Sequence, residues 1–152
     1  MRVLISGACL LCVAISLIAC STSNHIPHER WAITAADSGG ITGMENGFTM
    51  IESGGVFLWS GLRGTEETHT RLGEISRELA QYMEDSIAVN LRESSAEYAD
   101  MPDTGFQHIH YLELEVGGIR TRATWGTVKH PQPPTRLKFW YENFVRACER
   151  ME

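Results

Sequence analysis

Apolar and polar positions along the chain change period several times, and each change marks an element. Residues 46–61, NGFTMIESGGVFLWSG, hold two runs of β-forming residues around Ser53-Gly54-Gly55, which predicts a β-hairpin. Either Ser53-Gly54 or Gly54-Gly55 can form its tip. Short runs at 31–35 (WAITA) and 66–72 (EETHTRL) predict further strands. The period then lengthens. Ile75, Leu79, Tyr82, Met83 and Ile87 recur at helical spacing, so an amphipathic helix is expected over residues 74–90 with these side chains on its buried stripe. Residues 93–105 are polar, contain Pro102 and Gly105, and predict a loop.

A second hairpin follows: FQHIHYLELEV, then Gly117-Gly118, then IRTRATWG. A two-residue Gly-Gly turn pairs Val116 with Ile119, and the register propagates from there. Glu115 then faces Arg120 and Glu113 faces Arg122 on one side of the ribbon. Leu114 meets Thr121, Leu112 meets Ala123 and His110 meets Trp125 on the other. Opposite charges directly across a ladder contribute roughly 0.2–1 kcal/mol per pair, and a one-residue slip would lose both matches. After TVKHPQPPT a last helix is expected from about Thr135. Leu137, Trp140, Tyr141, Phe144, Cys148 and Met151 share its apolar face, with Lys138, Glu142, Arg146 and Glu149 turned away and Glu142–Arg146 as an i,i+4 pair. The expected fold class is α+β, an antiparallel sheet of about four to six strands, including the two hairpins, with two amphipathic helices packed on one face.

The front of the chain has a different character. Arg2 precedes an apolar run from Val3 to Ala19, the shape of a secretory signal. The run is slightly short for a spanning helix, which needs about 20 apolar residues, and it ends in Leu17-Ile18-Ala19-Cys20. This tetrapeptide resembles the lipobox of bacterial lipoprotein signal peptides. The resemblance implies cleavage after residue 19 and acylation of Cys20, a palmitate-type anchor on the cell envelope. A plain uncleaved anchor is the alternative. Ser21 in place of an aspartate implies, by the same resemblance, the outer membrane facing the periplasm or the cell surface. Several acyl chains give stable attachment where one holds only marginally. Residues 20–30 then read as lipidated cysteine and tether, and 31–152 as a single domain.

Removing residues 1–19 takes Cys9 and Cys12 with it and leaves 133 residues, with 12 basic against 19 acidic side chains. A net charge near −7 without a Lys/Arg cluster makes nucleic acid a poor partner. Cys148 is the one thiol left for the domain, and its place on an apolar stripe suits a small buried hydrophobe better than a reactive group.

Chemistry is sparse. His108 and His110 alternate along a strand, so both imidazoles lie on one face at chelating spacing, and His69 or His130 could supply a third metal ligand. The competing reading makes them ordinary residues of a fraying sheet end. His25 and His28 lie in the tether. Outside the front run, whose Cys9 and Cys12 leave with it, no GxSxG, HExxH, CxxC or phosphate-loop motif is present, so no catalytic residue and no cofactor is assigned, and an enzyme is not expected. Tyr111, Arg120, Arg122 and Trp125, with the segment WGTVKHPQPPT, form a candidate binding surface, since aromatic and Arg residues concentrate at interfaces. That segment reads equally as a helix-start linker.

Across ITGMENGFTMIESGGVFLWSG and VGGIRTRATWG…PPTRLKFWYENF the layout resembles small bacterial proteins built as strands, helix, hairpin, helix. Some of these are lipoproteins of unassigned function, and others resemble emfourin, a proteinaceous inhibitor of thermolysin-like metallopeptidases. The resemblance implies an α+β fold and matches no inhibitory residue to a position here. The expected function is that of a lipid-anchored envelope protein working as a protein-binding module of inhibitor, immunity or accessory type, with an envelope protein as partner. The alternative is a metal- or small-ligand-binding protein using His108 and His110.

Overall fold

The computed structural model describes residues 26–39, 43–62, 67–98, 108–127 and 129–152. Strands β1 (Trp31–Gly39), β2 (Met44–Ile51), β3 (Gly55–Leu62) and β4 (Thr68–Glu74) precede helix α1 (Arg77–Tyr98); β5 (His108–Val116), β6 (Ile119–Trp125) and helix α2 (Thr135–Glu149) follow. The six strands form one antiparallel sheet in the order β4-β3-β2-β1-β5-β6. The α+β class expected from the patterning is the class observed.

Strand alternation divides the side chains between two faces. Ile33 stands opposite Met50 on one neighbour and Leu114 on the other. These join Leu112, Ala123 and Trp125 in a core closed by Ala80, Met83, Ile87 and Leu91 of α1 and by Leu137, Phe144 and Cys148 of α2. Each fully buried large aliphatic or aromatic side chain contributes about 1.5–3 kcal/mol relative to exposure, so this layer dominates the fold's stability. Among the described residues no helix covers the opposite face of the sheet.

The β5–β6 hairpin has the register set by its Gly-Gly turn, from Val116↔Ile119 to His110↔Trp125. Gly117 and Gly118 have φ of 57° and 82°, the doubly left-handed turn whose twist suits a two-residue hairpin. The first hairpin uses neither expected two-residue tip. Its turn is closed by Gly54 N–H donating to Ile51 O at 2.8 Å, which places Glu52 and Ser53 at the centre and Gly54 at φ 93°. The reason lies outside the hairpin: Gly54 O accepts from Ile75 N–H at 3.0 Å, and a Cβ on residue 54 would stand 2.2 Å from Ile75 O.

The first helix also departs from expectation. It begins after Ser76, whose hydroxyl accepts from Leu79 N–H at 3.2 Å as an N-cap does. It continues to Tyr98, so residues 93–98 are helical and Glu74 belongs to β4. Its buried stripe is Ala80, Met83, Ile87, Leu91 and Ser94. Leu79 and Tyr82, expected inside, are exposed. Helix α2 keeps the expected face, with Leu137, Phe144 and Cys148 fully buried. Glu142 turns back to Lys138 at 3.9 Å as the i,i+4 partner.

Candidate functional site

The side chains proposed from sequence as a binding surface divide between the two faces. Tyr111, Arg120 and Arg122 lie on the helix-free face. Trp125 does not: it has the parity of His110, and it is buried on the helix side with its ring 4.8 Å from Tyr141 in an edge contact. Strand period decides this, since 120 and 122 share a parity that 125 lacks.

On the helix-free face one row crosses the whole sheet as Thr124, Tyr111, Ala36, Gly47, Trp59 and His69. The small residues in its middle leave room for the two rings, and Ala36, Trp59 and Tyr111 form a second, smaller core. The Arg122 guanidinium lies 4.0 Å over the Tyr111 ring, a cation–π contact. Burial, reinforced by the nearby Glu45 carboxylate, raises the Tyr111 pKa. Tyr111 is thus the floor of the face and not an exposed contact residue.

The arginines are satisfied within the chain. Arg122 Nη2 stands 2.6 Å from Glu113, itself buried, and Arg120 Nε donates to Glu115 Oε2 at 2.8 Å. The cross-strand pairs expected from the sequence therefore form, and they lock the hairpin instead of offering free cations.

A groove of about 380 Å³ runs over this face, walled by Glu45, Glu67, Glu113, Arg120 and Arg122 and capped on one side by Ile26–Glu29. Those last residues of the expected tether are held against the domain. Glu29 accepts from Ser53 N–H, Arg30 pairs with Glu52, and Arg30 O accepts from Gly117 N–H at 2.9 Å. Glu52 is also reached by Arg77 at 3.1 Å. The hydrogen bonds from Arg30 and then Arg77 outweigh the cost of burial and hold the Glu52 pKa down to about 2.

His110 sits on the other face, among aromatic rings. Its Nδ1 is bonded to Asp37, which also accepts from Tyr141 O–H at 3.4 Å. The bond to Asp37 raises the imidazole pKa against the opposing effect of burial. His108 stacks 6.3 Å away. His69 faces the opposite side of the sheet, on β4, and His130 packs against Tyr98 at 4.3 Å. Among the described residues no three His, Cys, Asp or Glu side chains gather as metal ligands. The chemistry this arrangement offers is a β1–β5–α2 clamp, with Asp37 between an imidazole and a phenol.

The sequence reading missed a surface on the helix layer. Tyr82 and Phe139 are exposed at 60% and 62%, with Leu79 at 48%. Trp140 joins them, making edge contacts with Tyr82 at 5.7 Å and Phe139 at 5.2 Å. An aromatic cluster spanning two helices and open to solvent is unusual for an isolated surface. No signal short of the α1–α2 pairing could have assembled it.

Cys20 lies outside the described residues, as do His25 and residues 99–105 of the expected loop. No described helix is long and apolar enough to cross a membrane. No protein-family profile and no curated protein sequence matches this chain.

Proposed function

We propose that the chain is a lipid-anchored protein of the cell envelope that works as a non-catalytic protein-binding module, docking its partner on the aromatic cluster of the helix layer. The observation that carries this reading is the exposure of Tyr82 and Phe139 beside Trp140 and Leu79. Large aromatic side chains left in water are those that interfaces bury at their centres. Exposed Glu78 and Asp85 border the cluster on α1, so the partner is a protein with an apolar centre and a basic rim. The arginines first considered for this role are spent on Glu113 and Glu115. The lipobox-like Leu17-Ile18-Ala19-Cys20 supports the anchor.

Photo-crosslinking in the native host tests the surface. A photoreactive residue at position 82 or 139 should give one discrete protein adduct, absent when Trp140 is changed to Glu. Adducts from position 120 alone would move the surface to the helix-free face, and none from any of the three would defeat the binding reading. For the anchor, Cys20→Ala should abolish fatty-acid labelling; labelling that persists refutes it.

A further inference from the structure

The end of the sheet where β5 turns into β6 has an unusual surface. Ile119 is 74% exposed and Val116 44%, and these two aliphatic side chains flank a turn that has none of its own. A Cβ on Gly117 or Gly118 would meet nothing within 4 Å, so the tip projects into open space. The exposed side chain of Arg120, 64% accessible, lies beside it, and that of Arg30, 76% accessible, reaches Glu52 at the same end of the sheet. The tip is also tied to the segment that leads back toward Cys20, because Gly117 N–H donates to Arg30 O.

We propose that this tip enters the interfacial layer of the lipid bilayer, with Val116 and Ile119 among the upper acyl carbons and the Arg120–Glu115 and Arg30–Glu52 ion pairs in the polar headgroup layer. The inference rests on the lipid-anchor reading. Ile26 is six residue steps along the chain from Cys20, a span of at most about 21 Å at roughly 3.5 Å per step. The anchored end of the domain therefore stays near the bilayer, and the apolar tip is part of that end. Long Arg side chains suit this position, since their stems cover apolar surface while the charge stays in the polar layer. The contact is local: the acidic domain as a whole gains nothing from an anionic surface. The aromatic cluster is the weaker candidate for lipid contact, being on the far side of the sheet from the anchor segment and bordered by carboxylates. With the tip down, the strands point at the membrane and the helix layer faces sideways, open to a protein.

The test uses the full acylated chain reconstituted in phosphatidylethanolamine–phosphatidylglycerol vesicles. An environment-sensitive dye is placed on Ile119→Cys or, separately, on Phe139→Cys. Cys148 is buried and does not compete for label. Nitroxide-bearing lipids should quench the dye at 119 and leave the dye at 139 accessible to aqueous iodide, and adding Val116→Asp should cancel the quenching at 119. A dye at 119 that only iodide reaches, or lipid quenching at 139 instead, overturns the proposal. The intact mass of the same sample reports the anchor independently: an unacylated Cys20 removes the premise and the proposal with it, whereas acylation without quenching at 119 removes the proposal alone.

Discussion

Replacing Gly54 by Ala isolates what the first hairpin demands of its sequence. Two costs combine at this position. The backbone has φ 93°, a conformation that holds a non-glycine residue only at about 1–3 kcal/mol of strain. The new Cβ would also stand 2.2 Å from Ile75 O, so the β4–α1 connection must move and the Ile75 N–H to Gly54 O bond weakens, a further loss of about 0.5–1.5 kcal/mol. Against this, Ala restricts the unfolded chain and returns about 0.4–1 kcal/mol. The net expectation is a destabilisation of about 2–3 kcal/mol, which lowers Tm by about 10 °C in a domain of this size. Urea unfolding followed by tryptophan fluorescence measures it. Gly117→Ala is the control, because its φ is also positive, at 57°, while its Cβ would meet open space; it should cost about 1 kcal/mol or less. If the two variants lose the same stability, the close approach of Gly54 to Ile75 is not a determinant and the reasoning fails.

Three further outcomes are expected. Glu52 has its pKa lowered from 4.5 to about 2, so its contribution to stability is complete above pH 4.5 and is lost as pH falls toward 2; in Glu52→Gln the acid-unfolding curve should be flatter across that window. The His110 pKa is raised from 6.5 by its bond to Asp37, so the stabilisation from this pair is present below pH 6.5 and fades as pH climbs through the raised value; Asp37→Asn should erase the dependence in Tm measured from pH 6 to 9. Burial pushes the Cys148 thiol up to about 12, so a disulfide-exchange reagent should label it no faster than the domain unfolds in urea, and immediate labelling in buffer would refute its burial.

The parts of the fold legible in the sequence are those governed by local geometry. The Gly117-Gly118 turn admits one register, and Glu113 and Glu115 confirm it by meeting Arg122 and Arg120. The first hairpin offered two tips and used neither, because Gly54 is held by Ile75, a contact that local turn rules do not contain. The buried stripe of α1 was misplaced by weighting size. Leu79 and Tyr82 are large, but the helix lies against the sheet through Ala80, at 0% exposure, and Ser94, at 6%, where small side chains allow close approach. For the candidate site, alternation along β6 already separated Trp125 from Arg120 and Arg122, and grouping the three ignored it. The Tyr82–Phe139–Trp140 cluster joins residues almost sixty positions apart and follows from helix pairing, which hydrophobic period alone does not determine.

The ion pairs of β6 have one more consequence, because β6 is an outermost strand. An open strand edge invites another chain to extend the sheet, which is a route to aggregation, and both edges here are blunted. On β6, Arg120 and Arg122 would have to surrender Glu115 and Glu113 or face an incoming strand as charged neighbours. On β4, the register shifts against β3 between Val56 and Phe57, and such a bulge bends the edge away from a flat template; Arg71 and Glu74 add a further charged pair there at 2.6 Å. Under the lipid-anchor proposal, molecules concentrated on a two-dimensional surface would meet often, and at that density these guards would keep neighbouring sheets from fusing while leaving the helix layer open.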